Sequence, residues 1–171
     1  MKTILSSVRI AALMFVTTGF LAAPAVAQTK FAQPDATVRA AVEAAVLEAN
    51  AKMTAAANRL DADAFFEFIL PGDDGAIIQN GVLFKSRAEA LAAVKRGFQG
   101  VAAVDRRFEH PRVTVISPDC ALLAAEGSVT ATLADGRTLT NRFAVSLVFV
   151  RQGGQWKLLQ GHYSMPTAAG Q

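Results

Sequence analysis

The chain has 171 residues, which is enough for one domain of ordinary size. Its formal net charge is +3, and its single cysteine, Cys120, cannot form an intramolecular disulfide. No basic block interleaved with aromatic residues is present, so nucleic acid is excluded as the expected partner.

The first 27 residues have the pattern of a cleavable secretory signal. Lys2 and Arg9 flank the start of an apolar run that is shorter than the roughly 18 residues of a membrane span, and small residues stand at Ala25 and Ala27. We therefore expect cleavage after Ala27, a periplasmic or secreted protein, and no membrane association beyond export. Without Lys2 and Arg9, 15 of the 17 basic residues remain against 14 acidic ones, so the excess positive charge belongs mainly to the signal.

Three helices are predicted in the first half of the mature chain. A polar linker over 28–35 leads into a segment, 38–60, whose apolar residues recur at steps of three and four and which Asp35 can cap. A shorter helix is predicted over 61–70. A Ser-x-x-Glu capping box opens a third helix over 86–98.

The remaining elements are predicted to be strands. Two short strands flank Asn80-Gly81, which is a favoured hairpin pair. Turn signals then separate four long antiparallel segments over 101–117, 120–134, 137–151 and 155–165. Pro111 interrupts the first of these, which requires an edge strand or a bulge there.

The last strand carries a family resemblance. Residues 154–164 read Gly-Gln-Trp-Lys-Leu-Leu-Gln-Gly-His-Tyr-Ser and resemble the closing strand of nuclear transport factor 2-like domains. The element order over 38–166 is similar to the SnoaL-like and ketosteroid isomerase branches of that superfamily. The resemblance implies an α+β domain over 36–166, with a short tail after it. In this fold a curved, mostly antiparallel sheet forms a cone packed by the three helices.

In such a cone, alternate strand residues face the cavity, so the resemblance implies which side chains line it. On the last strand, Leu159, Gly161 and Tyr163 are expected inside, and His162 falls on the outer face that many family members use for homodimerisation. On the two preceding strands the expected inward set is Leu122, Ala124, Glu126, Ser128, Thr130, Arg142, Ala144 and Ser146. A register shifted by one residue on the second of these strands would instead turn inward Asn141, Phe143, Val145 and Leu147.

Glu126 and Tyr163 are the candidate catalytic residues. A carboxylate buried in an apolar cone would have a raised pKa and could act as a general acid or base. The alternative for Glu126 is an ion pair with Arg142 across the sheet. The Tyr163 hydroxyl could donate a hydrogen bond to a substrate oxygen. Alternatively, it could be the solvent-exposed hydroxyl of a half-buried aromatic side chain.

Other polar residues are candidates for ligand binding rather than chemistry. The candidate ligand-binding residues are Asn80, His110, Ser128, Arg142, Ser146 and Leu159. The run Asp105-Arg106-Arg107 is interpreted as a solvated face, with an anion-binding rim at the cone mouth as the alternative. His110 and His162 lack an obvious third ligand, so we predict no metal site, and no motif indicates a cofactor.

Three classes of function remain open. The ketosteroid isomerase mechanism needs a Tyr, a carboxylate base and a protonated Asp, whose places here fall near Met53, Gln79 or Asn80, and Ser146. None of these groups is retained. We therefore expect first a binding protein for a small apolar or amphipathic molecule. The alternatives are a SnoaL-type isomerase, cyclase or dehydratase, and a dimerisation module without a ligand.

Overall fold

The long N-terminal helix packs one apolar face against the sheet. A computed structural model describes residues 33–72 and 76–166, so the predicted signal and tail lie outside the described residues. Helix α1 spans Ala36–Asn58, and the Asp35 carboxylate accepts hydrogen bonds from the backbone N–H groups of Thr37 (2.9 Å) and Val38 (3.0 Å). The predicted apolar face is confirmed, because its residues are buried at Val42, Val46, Ala49, Met53 and Ala56.

The second helix is shorter than the predicted 61–70. Helix α2 spans Ala62–Phe66, and the chain then runs beside the last strand, with Ile69 bridged to Leu158. The Leu158 N–H donates to the Phe68 carbonyl at 2.7 Å, and the Leu70 N–H donates to the Leu158 carbonyl at 3.0 Å. A short apolar run has no periodicity that separates helix from strand, and here long-range pairing decides.

The hairpin and third helix follow the predicted turn chemistry. Strands β1 (Ala76–Gln79) and β2 (Val82–Phe84) meet at Asn80 and Gly81, whose φ angles of 51° and 78° suit a two-residue hairpin. Helix α3 spans Arg87–Phe98 after its Ser86 cap. Its Glu89 carboxylate accepts from the Lys85 N–H at 2.8 Å, one residue earlier than in the usual capping box.

Four long strands complete one curved sheet. They are β3 (Val101–Ser117), β4 (Cys120–Leu133), β5 (Thr138–Gln152) and β6 (Gln155–Ser164). Within the described residues the strand order is β2-β1-β6-β5-β4-β3, and every neighbouring pair is antiparallel except β1 and β6. The predicted α+β class and mostly antiparallel cone are therefore confirmed. No helix in the described part of the chain is long and apolar enough to cross a membrane.

Two of the register shifts in the described strands change which side chains face the helices. Both alternatives predicted from Pro111, an edge strand and a bulge, are confirmed. Strand β3 is at the edge of the sheet, and its register shifts between Glu109 and Arg112, with His110 at φ 48°. The second bulge lies opposite the step from Val148 to Phe149, where β6 gains the extra residue Leu159. It allows Leu158 and Tyr163, an odd number of positions apart, both to be buried on the same side.

The inward set predicted for β4 is wrong. The residues buried against the helices are Ala121, Leu123 and Gly127, and Glu126 with Ala124 lies on the exposed face. On β5 the shifted register is correct, with Phe143, Val145 and Leu147 buried, although Asn141 is exposed. The alternation of β4 itself indicated the correct face, because every second residue from Ala121 to Leu133 is apolar while the other set includes Glu126 and Ser128. The error came from taking the inward face from the family resemblance instead of from this alternation.

Candidate functional site

A cavity of about 250 Å³ lies between the helices and the inner face of the sheet. Its volume falls just below the usual range for ligand pockets, roughly 300–1,000 Å³, so it suits a small molecule. The lining is mainly apolar, and its apolar residues are Ala57, Phe65, Phe66, Ile77, Ala93, Val94, Gly97, Phe98, Val101, Val104, Val129, Ala131 and Met165. A ligand would gain most of its binding free energy by burying apolar surface there.

Three polar side chains enter this apolar lining: Gln79, Arg106 and Tyr163. Gln79 ends β1 and is the direct strand partner of Tyr163 on β6. Arg106 comes from β3, where Val104, Arg106 and Phe108 share the inner face by alternation. Polar groups of this kind, few and convergent in an apolar cavity, are what fix the orientation of a bound ligand.

The Asn58 side chain holds the backbone of Arg106, and the guanidinium has no acidic partner among the described residues. The Asn58 side chain accepts from the Arg106 N–H at 2.9 Å and donates to the Arg106 carbonyl at 3.2 Å. The guanidinium carbon lies 5.6 Å from the ring centroids of both Phe143 and Tyr163. Within residues 33–72 and 76–166, Arg106 forms no salt bridge, and its buried Nε has no hydrogen-bond partner.

Tyr163 is the second unusual polar group. Its side chain is 6% exposed, and its buried hydroxyl has no hydrogen-bond partner among the described residues. Burial raises the pKa of Tyr163, and the nearby Arg106 charge opposes that rise only in part. The hydroxyl is therefore protonated at neutral pH and can donate a hydrogen bond.

The structure places Glu126 far from this chemistry. Its side chain is 74% exposed on the outer face of β4, and Arg142 donates to it at 3.3 Å. Arg142 also pairs with Glu109 at 2.9 Å. The ion-pair alternative is thus what the structure contains, and the inward placement that would have raised the Glu126 pKa is a wrong prediction.

Of the candidate residues from the sequence, Tyr163 alone lines the cavity. Asn80 and His110 lie at exposed turns or bulges, and Arg142 and Ser146 are exposed on the outer face of β5. Ser128 is half-buried and pairs in register with Arg107 and Arg142. Leu159 is half-buried at the β6 bulge. The corrections for Ser128, Arg142 and Ser146 share one cause, namely the one-residue error in the face assigned to β4 and β5.

The sequence offered Arg106 only as part of the run Asp105-Arg106-Arg107, with a solvated face as the first interpretation and an anion-binding rim as the alternative. Its neighbours Asp105 and Arg107 are exposed and pair with each other at 2.6 Å, as the solvated-face interpretation requires. Alternation from Val104 to Phe108 was the signal that could have separated Arg106 from them. Elsewhere, the described residues contain no group of three or more His, Cys, Asp or Glu side chains that could hold a metal ion.

A curved sheet closed by three helices over an apolar cavity defines a cone-shaped domain of the nuclear transport factor 2-like class. Residues 46–168 match the family model of the SnoaL-like domain, and the chain belongs to that family. No protein of curated function matches the sequence.

Solved structures share the fold at low sequence identity. A nuclear transport factor 2-like superfamily protein from Salmonella enterica matches with a TM-score of 0.68 and 14% identity, covering 77% of this chain and 96% of that chain. The hexachlorocyclohexane dehydrochlorinase LinA-type3 from Novosphingobium barchaimii matches with a TM-score of 0.65 and 15% identity, covering 78% and 92%. A proposed dehydratase from Streptomyces avermitilis matches with 0.67 and 20%, covering 76% and 99%. At these identities the matches establish the fold alone.

Proposed function

We propose that the exported, processed form of this chain binds a small, mainly apolar molecule in the cone cavity. The observation that carries the proposal is a cavity of about 250 Å³ lined by Phe, Val and Ala side chains with few polar groups. Such a lining favours burial of an apolar ligand body, while its polar groups select the orientation.

Binding is favoured over proton-transfer catalysis by the side chains around the cavity. A general base must lie within hydrogen-bond reach of the proton that it removes. Within the described part of the chain, no carboxylate or imidazole lines the cavity. The two candidates from the sequence, Glu126 and His110, are both exposed on other surfaces. We therefore do not propose for this chain the dehydratase and dehydrochlorinase activities that its structural relatives are named for.

The cavity also distinguishes binding from a purely structural role. Protein interiors are close-packed, and atoms that line an empty space lose dispersion contacts. A domain that served only for assembly would gain nothing from that cost. A binding protein recovers the lost contacts when its ligand enters.

The test compares two matched variants on one helix. Ala93 lines the cavity and the neighbouring Ala92 is exposed, so Ala93→Phe fills the cavity and Ala92→Phe adds the same ring outside it. Four probes, 2-naphthoate, 2-naphthamide, octanoate and octanamide, are titrated by isothermal calorimetry. We expect binding of at least one pair to wild type and to Ala92→Phe, and none to Ala93→Phe. Equal binding to both variants would place the ligand elsewhere and contradict the proposal.

A further inference from the structure

The charge of Arg106 is the feature of the cavity that the proposed function leaves unexplained. Arg107, the exposed neighbour of Arg106, pairs with Asp105 at 2.6 Å. Arg112 of the same strand forms no salt bridge within the described ranges, but its side chain is exposed to solvent. Arg106 also has no carboxylate partner within the described ranges, although its half-buried side chain lines an apolar cavity and its buried Nε lacks a hydrogen bond, which is costly. A cation held in this way is a site for an anion that arrives with the ligand.

The guanidinium faces the ring of Tyr163, whose hydroxyl is a second hydrogen-bond donor. The Tyr163 ring centroid is 5.6 Å from the Arg106 guanidinium carbon, and both side chains line the same cavity. The Tyr163 hydroxyl is buried without a partner among the described residues and remains protonated at neutral pH, because burial raises its pKa. An oxyanion can accept hydrogen bonds from both groups and also offset the positive charge, whereas a neutral carbonyl oxygen can only accept hydrogen bonds.

We infer that the ligand carries one singly charged oxyanion, such as a carboxylate, on an apolar body, and that Arg106 and Tyr163 bind this oxyanion. The inference rests on the proposed function, since it names the chemical class of molecule that the same cavity takes. The apolar body contacts the aromatic wall formed by Phe65, Phe66 and Phe98. A doubly charged phosphate monoester fits less well, because a single guanidinium cannot neutralise it in apolar surroundings.

The experiment uses the same four probes, since each acid has an amide of nearly equal size and shape. For each acid–amide pair that binds, we expect wild type to bind the acid about tenfold to a hundredfold more tightly than its amide, as hydrogen bonds to charged groups require. Arg106→Met should remove this preference while amide binding persists, and Tyr163→Phe should weaken it. Arg107→Met deletes an equal charge on the exposed side of the same strand and should leave the preference unchanged. Thermal unfolding of each variant verifies that it folds.

The outcomes separate this inference from the proposed function. Amides that bind wild type as tightly as the acids, with binding still abolished by Ala93→Phe, would overturn the anion inference and leave the cavity function standing. Acid binding that survives both Arg106→Met and the neutral, polar Arg106→Gln would also overturn it. If no probe bound wild type at millimolar concentration, both the inference and the proposed function would be rejected for ligands of this size.

Discussion

Gly127 lies on the inner face of β4 beneath the ring of Phe143, and Gly127→Ala tests how tightly the sheet packs beside the site. A Cβ added at Gly127 would clash with the Arg107 carbonyl oxygen and with Cζ of Phe143, and it would lie 2.7 Å from Cε2 of the same ring. Arg107 belongs to β3, whose residues pair with β4 at Arg107–Ser128 and Phe108–Gly127. Its carbonyl cannot retreat without loss of ladder hydrogen bonds.

The expected cost of Gly127→Ala follows from these two neighbours. The Phe143 ring is buried, packs edge-to-face on Phe108 with centroids 5.4 Å apart, and lies 5.6 Å from the Arg106 guanidinium carbon. Overpacking of a core by one methyl group usually costs about 1–3 kcal/mol. Because one obstacle is backbone, we expect the upper end, about 3 kcal/mol. For a domain of this size that loss lowers Tm by about 10 °C.

Urea and thermal unfolding followed by circular dichroism measure this loss. The control is Gly97→Ala in α3, where an added Cβ meets nothing within 4 Å, so the helix should gain about 0.5–1 kcal/mol. Adding Phe143→Leu to Gly127→Ala should recover part of the lost free energy of unfolding, since the smaller side chain makes room for the methyl group. A Gly127→Ala protein within about 0.5 kcal/mol of wild type would refute the reasoning and show that ring and strand move freely.

Further predictions concern the buried tyrosine, the signal and the outer face. Tyr163→Phe should raise the free energy of unfolding of the ligand-free protein by about 1 kcal/mol, because it removes a buried hydroxyl without a partner; an unchanged urea midpoint would argue against this. Because burial raises the pKa of Tyr163 above its ordinary 10.0, the folded state binds more protons than the unfolded state above that pH, so stability present below pH 10 is lost as pH rises further. Tyr163 is the single tyrosine of the sequence, so absorbance at 295 nm should titrate at higher pH in the native protein than in urea, and coincident curves would disprove the shift. Intact mass of periplasmic protein should correspond to a chain that begins at Gln28, and a full-length mass would contradict cleavage after Ala27. Light scattering should give the mass of a homodimer, and Ala144→Glu on the exposed face of β5 should reduce it to that of a monomer if the outer face forms the interface.

Local features of the sequence determined much of this fold. Steps of three and four between apolar residues defined the buried face of α1. The pair Asn80-Gly81 placed the hairpin turn, and both residues have a positive φ there. Pro111 marked the bulge of the edge strand. Each of these signals acts within a few residues, where backbone geometry and hydrogen bonding are decided by the residues themselves.

Contacts between segments distant in sequence decided which residues line the site. Alternation along β4 separates an apolar set that includes Leu123 from a mostly polar set that includes Glu126, but the sequence does not show which strands and helices cover the apolar set. The bulge at Leu159, which sets the face of Tyr163, exists through the pairing of β6 with β5. Alternation with Val104 and Phe108 indicates the face of Arg106, but the cavity that this face lines forms only where the helices close over the sheet. A bulge inserts one residue and reverses the alternation beyond it, and where a bulge forms depends on the strand with which the chain pairs.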